Sequence, residues 1–392
     1  MKLAFNRNIA LAAGLASLPL LTAAPALAGD EPAKVYYNDG MRLETKEVDV
    51  KFNMLLQPYY EYTAYDRNEA ASGDPGANTN SFDLRHSQFF MSGHLMNKQF
   101  SFRLMNDFSS ETNGSSLADA WLQWNCDCDL FNVRAGQFFT PYSRQGGTFD
   151  QYLQFATKSV VTDAFALDRQ NGAMVHGEIG DGIHYYLNVF NGESAGEGQN
   201  LGGVDTDLAL SAAITAQTMG YGSRGYEGDL RENKDSTDFT GGLSSIYGRG
   251  SFGTGDDVAI ADFDRFDLNG DLGMRSGGFS LQAEMYYSYL DLNNLSTDYH
   301  NWGFYTQGGF MVAENMEIAG RFGYIDFDDD FVGYNGYVVD TLQEYTASFN
   351  YYMNGHSMKL QTGVTWINGE FQDDSSDNIT DFQFITQLTG YL

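Results

Sequence analysis

The 392-residue chain is short of several things. It has two cysteines, Cys126 and Cys128, both inside one Asn-Cys-Asp-Cys-Asp stretch. An exported chain of this size with so few is not held together by disulfides. A bond across a single residue would also be strained, so the pair reads as two turn residues. A lone Cys-x-Cys lacks the four ligands of a structural metal site. No Cys-x-x-Cys-His is present to carry haem. Proline is scarce, 6 against 44 glycines. Cations are scarce too, 22 Lys+Arg against 52 Asp+Glu, a net of −30. That balance excludes nucleic acid as a partner, because binding it needs cationic stripes that displace counterions. Beyond the N-terminal segment no apolar run reaches helix-spanning length, which excludes a helical membrane protein.

The N-terminus reads as an export signal. Lys2 and Arg7 precede an apolar stretch over 9–21, and Ala26-Leu27-Ala28 places small residues at a cleavage site. The stretch is short for a membrane anchor and is interrupted around it by Pro19 and Pro25. We therefore expect 1–28 to be removed, 29–49 to form a periplasmic segment, and 50–392 to form the main domain. Mean hydropathy is −0.36, yet aromatics make up 15% of the chain, with 29 Phe and 25 Tyr. That is too aromatic for a disordered chain. It suits a membrane barrel of a Gram-negative outer membrane, whose lumen-facing residues dilute the lipid-facing ones and whose interfacial girdles consume Tyr, Phe and Trp.

A strand with one face in lipid and the other in water must alternate with period two. Residues 50–65 do so: Val50, Phe52, Met54 and Leu56 take one parity, Lys51, Asn53 and Gln57 the other. A helix would need apolar spacings of three and four, which are missing. Phe100, Phe102 and Leu104 oppose Arg103 and Asp107 in the same way. Phe266, Leu268, Leu272 and Met274 run to Arg275-Ser276-Gly277-Gly278, after which Phe279, Leu281, Met285 and Tyr287 resume on the other parity. Such a turn between alternating runs marks a hairpin.

This reading predicts an all-β transmembrane antiparallel barrel of about sixteen strands, with fourteen or eighteen as alternatives. The strands begin near 50, 82, 99, 117, 130, 169, 183, 207, 240, 263, 279, 302, 316, 343, 357 and 381. An even count returns both ends to the periplasmic side, so connections should alternate between long outside and short inside. The stretch 220–239 breaks that rule, being an inside connection of about twenty polar residues. Either a neighbouring strand is misplaced, with 240–249 the weakest, or the barrel has one long periplasmic turn.

Several segments resemble the phosphate-selective porin O/P family. They are VRAGQFFTPYSR at 133–144, Leu117-Ala118-Asp119-Ala120-Trp121, DRQNGAMVHG at 168–177, VFNG at 189–192, Arg321 within 318–324, and Phe349-Asn350-Tyr351-Tyr352. The resemblance implies a sixteen-stranded homotrimeric porin whose third outer loop folds into the lumen, and that loop would be 140–168. The length of 140–168 and its apolar Phe149, Tyr152, Leu153, Phe155, Val160, Val161 and Phe165 independently suggest that it packs against the wall.

The expected function is passive diffusion of small hydrophilic solutes and ions, with outer-membrane lipid and lipopolysaccharide as surroundings and no cofactor or metal. Selectivity should sit in charges of the lumen and constriction. Candidate lining residues are Arg85, His86, Arg103, Asp107, Asp119, Arg134, Arg144, Lys158, Arg169 and Arg321. The resemblance implies a basic, phosphate-conducting lining. However, His86 and Gln88 stand where that family carries arginines, and Asp107 and Asp119 share the lumen parity. Acidic clusters at 256–257, 262–267, 326–330 and 373–377 fall in or beside outer loops. They suggest a surface for divalent cations bridging lipopolysaccharide, or a negative mouth. Weak selectivity or mild cation preference is therefore expected, with a phosphate- or polyphosphate-selective channel as the alternative. Catalysis is not expected, since His86, His94, His176, His184, His300 and His356 occur singly, with no Gly-x-Ser-x-Gly context. A plugged scaffold barrel that holds a periplasmic partner such as a cytochrome is the rival of another class, and steady open-channel current separates the two.

Overall fold

The computed structural model describes residues 33–67, 78–109, 116–128, 130–192, 204–218, 223–232, 235–252, 261–293, 297–328, 332–334, 337–371 and 378–392. The expected signal segment 1–28 lies outside them, as do the acidic clusters at 256–257 and 373–377. Among the described residues no helix is long and apolar enough to cross a membrane. Strands carry the architecture instead.

In chain order they are β1 (Lys34–Tyr37), β2 (Met41–Glu44), β3 (Val48–Arg67), β4 (Thr79–Leu95), β5 (Phe100–Asp107), β6 (Ser116–Asn125), β7 (Asn132–Phe139), β8 (Arg169–Glu178), β9 (Ile183–Phe190) and β10 (Val204–Thr206). They continue as β11 (Ala209–Gln217), β12 (Asp238–Phe252), β13 (Ala261–Ser276), β14 (Phe279–Leu292), β15 (Thr297–Ala313), β16 (Met316–Asp326), β17 (Val332–Tyr334), β18 (Tyr337–Asn354), β19 (Met358–Phe371) and β20 (Asn378–Tyr391). Sixteen of them form one closed antiparallel wall, β3 to β9, β11 to β16, and β18 to β20. Each pairs with the next, and β20 returns to β3 through Phe384↔Tyr62 and Tyr391↔Leu55. Closure leaves no long edge in the wall, the condition under which strands can cross hydrocarbon. β10 and β17 are short additions, to β12 and β18 respectively. The hairpin β1–β2 pairs with the lower part of β3, below the point where β20 ends.

The period-two pattern becomes two faces. Along β3, Asn53 and Gln57 are buried while Met54 and Leu56 are exposed. Along β13, Asp267, Asn269 and Asp271 are buried while Leu268 and Leu272 are exposed. The exposed apolar face is the lipid-facing one, and the polar face lines the interior. The 275–278 turn has φ of +62° at Gly277 and +87° at Gly278. Residues with side chains adopt such angles at a cost, so glycine sets this hairpin's reversal.

The expected strand starts hold, including the ninth wall strand, β12. The connection before it is a long inner turn between Gln217 and Asp238, not a misplaced strand. The cysteines require a correction. Cys126 and Cys128 are bonded to each other, with Cα atoms 5.1 Å apart, where two unpaired turn residues were expected. The turn between β6 and β7 brings the two side chains together, and the sequence spacing alone does not reveal that fold-back.

The segment 140–168 joins β7 to β8 and has structure of its own: a 3₁₀ turn over Asp150–Tyr152 and a short helix, α1 (Val160–Phe165). Ser159 caps the helix, its Oγ accepting from the Val161 N–H. Val161, Phe165 and Leu167 are buried in one cluster with Tyr286, Tyr305, Ile325 and Leu342, which come from β14, β15, β16 and β18. The expected packing of its apolar residues is therefore met for Leu153, Phe155, Val161 and Phe165, which are all buried.

Candidate pore and its lining

The interior polar face divides into two halves with different tasks. On β13 to β19 six charged side chains, Asp271, Glu284, Glu317, Arg321, Glu344 and Lys359, are engaged with the segment 140–168. Glu284 accepts from the backbone N–H of Arg144 at 2.6 Å and of Gln145 at 3.1 Å. Glu344 accepts from Ser159 Oγ at 2.7 Å and from the Val160 N–H at 3.2 Å. Arg321 is paired with Glu344 at 2.9 Å and donates to the carbonyls of Thr157 at 2.9 Å and Lys158 at 3.1 Å. Glu317 accepts from Gln154 at 2.6 Å, Asn350 at 2.9 Å and Tyr352 at 2.6 Å. Lys359 donates to the carbonyl of Leu153. Buried polar groups are costly unless satisfied, and here strand side chains and loop backbone satisfy each other.

The other half, β3 to β9, faces open space. A cavity of about 700 Å³ is bordered by Arg85, His86, Asp107, Lys158, Asp163 and Arg169. A second, of about 600 Å³, is bordered by Lys51, Arg103, Trp121, Arg134, Tyr186 and Tyr226. Phe139 borders both. The first lies toward the barrel end with long connections. The second lies toward the end carrying the C-terminal Tyr391, which also lines it.

Between them sits an ion-pair chain. Asp119 is shared by Arg103 at 3.0 Å and Arg169 at 2.8 Å. Arg103 lies 4.2 Å from the Phe149 ring and Arg169 3.9 Å from the Phe139 ring, cation–π geometry that keeps both guanidinium planes against a wall. His86 has one carboxylate on each ring nitrogen, Asp107 at 2.7 Å and Asp150 at 3.3 Å. Burial alone would raise the Asp150 carboxyl, but His86, Lys158 and Arg169 outweigh it and hold the group well below the usual carboxylate range.

Nine of the ten candidate residues border these cavities, all but Arg321. Arg85 lies 3.8 Å from Glu61 and over the Tyr59 ring. Arg134 donates to Gln123 at 2.9 Å and stacks 4.1 Å from Trp121. Lys158 donates to the Gly146 carbonyl at 3.1 Å. Two of the ten, Arg321 and Arg144, have another task. Arg321 is buried against Glu344 and borders neither cavity. Arg144 touches the inner cavity, yet it is buried and anchored to Thr240 at 2.6 Å and Asp271 at 3.5 Å. Both are struts of the segment 140–168. Sequence reading missed Phe149, Asp150, Tyr152, Arg224 and Tyr226, all of which border a cavity. Their signal was indirect, since they lie in the two connections of unusual length.

Residues 52–387 match the family described as phosphate-selective porin O and P. The chain belongs to that family. This porin is 24% identical over 296 residues to an uncharacterized protein of Aquifex aeolicus (strain VF5), an alignment spanning 67% of this chain and 66% of that protein. Among solved structures, the outer membrane channel DcaP of Acinetobacter baumannii covers 89% of this chain and 99% of its own at TM-score 0.60 and 13% identity. The anion-selective porin from Comamonas acidovorans covers 88% of this chain and 100% of its own at TM-score 0.60 and 10% identity. The trimer form of OmpT of Vibrio cholerae covers 88% and 99% at TM-score 0.56 and 11% identity. These identities speak for the fold. Family and fold together make the chain an outer-membrane channel for small solutes, of a kind known for channels and not for enzymes.

Proposed function

We propose that solutes cross this porin by passive diffusion along the wall β4 to β8, through a passage narrowed by the segment 140–168 lying in the lumen, and that the passage mildly prefers anions. One observation carries the reading. The carboxylates Glu284, Glu317 and Glu344 accept from the loop's donors, whereas at the inner cavity Lys51, Arg103, Arg134, Arg144 and Arg224 outnumber Asp39 and Asp119. Ions shed part of their hydration in a narrow passage and respond to the nearest side chains more than to the chain's net charge. Of the acidic clusters that favoured cations, 262–267 is largely neutralised. Asp264 pairs with Arg249 at 3.3 Å and Asp267 with Arg265 at 2.6 Å. A relative with an anion-selective pore and a family with a phosphate-selective one are consistent with this preference.

The same reading includes removal of 1–28 on export, a homotrimer like that of the trimeric neighbour, and lipopolysaccharide around the outer rim. Reversal potential in a potassium chloride gradient across a planar bilayer tests the selectivity, with potassium phosphate as the second salt. Chloride should permeate ahead of potassium. A cation-selective pore would overturn the preference, and absence of open-channel current would favour the plugged scaffold.

A further inference from the structure

The connection between β11 and β12 is long for an inner turn, and while Asp229 holds to the β13–β14 turn by accepting from the Gly278 N–H at 2.9 Å, Arg224 and Glu227 reach the interior. Glu227 is 3% exposed and Asp229 is fully buried, which a solvated turn does not require. Glu227 accepts from the Gln154 N–H at 2.8 Å, from Gln145 Nε2 at 3.0 Å and from Gln282 Nε2 at 3.1 Å. Its own N–H donates to the Tyr152 carbonyl at 3.1 Å, and its carbonyl accepts from His356 Nε2 at 3.1 Å. The Tyr226 and Tyr152 rings lie 4.1 Å apart. These contacts join the connection to the segment 140–168, to Gln282 on the interior face of the far wall, and, through His356, to the turn between β18 and β19.

Arg224 completes the arrangement. Its guanidinium pairs with both oxygens of Asp271 on β13, the carboxylate that Arg144 of the segment 140–168 already approaches at 3.5 Å. Asp271 and its cross-strand neighbour Glu284 balance the two guanidiniums, but neither carboxylate borders the inner cavity, so it is the cationic side of this cluster that faces the space. Arg224 and Tyr226 both border the inner cavity.

We propose that this connection is a second lumen insert, entering from the end that carries the termini. It clamps the segment 140–168 from below and places Arg224 as a selectivity-determining cation of the inner cavity. The inference rests on the reading of 140–168 as the constriction. Its charge acts where permeating anions leave the ion-pair chain of Arg103, Asp119 and Arg169. A charge about 6 Å from an ion in water favours an anion about threefold and disfavours a cation about threefold, roughly tenfold in their ratio.

The test uses the full-length porin with Cys126→Ser and Cys128→Ser, giving a cysteine-free parent. Into it go Arg224→Cys, Tyr226→Cys or Lys158→Cys, each checked for folding by heat-modifiable gel migration. Single channels are recorded before and after adding the anionic thiol reagent 2-sulfonatoethyl methanethiosulfonate on the side of the termini. Arg224→Cys should lower the anion-to-cation ratio, by up to roughly tenfold. The reagent should lower it further and reduce conductance in steps. Tyr226→Cys, which keeps Arg224, should show the reagent effect alone, so a folding failure of one variant leaves the other decisive. If Lys158→Cys responds and neither Arg224→Cys nor Tyr226→Cys does, the second insert is refuted while the constriction stands. If none of the three responds, both readings fall.

Discussion

Asp119 sits between Arg103 and Arg169, so its removal and theirs act with opposite sign. Asp119→Asn should raise the chloride-to-potassium ratio. Arg169→Gln should lower it, each by up to roughly tenfold for a charge about 6 Å from the ion path, read as shifts in reversal potential. A second residue-level prediction concerns His356, in the turn between β18 and β19. Burial, with Lys359 and Arg275 nearby, pushes its imidazole well below its ordinary value, against the opposing pull of backbone hydrogen bonds to Glu227 and Gln151. The Tyr152, Tyr226 and Tyr352 rings pack around it. A group whose folded value is depressed contributes stability that is complete above its unfolded value of about 6.5 and is lost as pH falls below it. The thermal midpoint in detergent should therefore drop between about pH 7.5 and about pH 5.5, and His356→Gln should flatten that drop. At this scale the sequence was half legible. Parity assigned Arg103, Asp107 and Asp119 to the inner face, because a strand offers two faces only. Parity says nothing of what else occupies the interior, so it could not separate Arg321 and Arg144, which hold the loop, from Arg169, which faces open space.

Among the elements, the segment 140–168 is fastened in two ways, through backbone N–H groups on Glu284 and Glu344 and through apolar side chains. Phe165 stacks on Tyr286 with ring centroids 5.5 Å apart, and both are buried. Phe165→Ala should weaken the seating of the segment by roughly 3–5 kcal/mol, as large-to-small core changes do. The wall itself should survive, since its pairing does not pass through Phe165. Unchanged far-ultraviolet circular dichroism with larger, noisier single-channel steps is the expected pair of results. Strand starts could be read because alternation begins and stops with the lipid. The 220–239 stretch stood out as a break in the short-inside rule, but what fills that length could not be read. Its contacts are with Tyr152, Gln154 and Asp271, all distant in sequence, and periodicity carries no long-range pairing. The Cys126–Cys128 bond was misread for a related reason, since a spacing alone does not show how a turn folds back.

For the whole molecule, a net charge of −30 and a local excess of cations at the inner cavity coexist because they occupy different places. Exposed Leu243, Leu272 and Trp366 make a belt that water does not tolerate, so the protein should require detergent and show strand-rich circular dichroism. The closed, wet interior is the claim on which all else depends. Its most direct test is insertion of the purified protein into a planar bilayer under symmetric potassium chloride. Stepwise, ohmic, sustained increments of current are expected, one set for each inserted assembly. A folded, membrane-inserted barrel that passes no steady current would contradict the open channel.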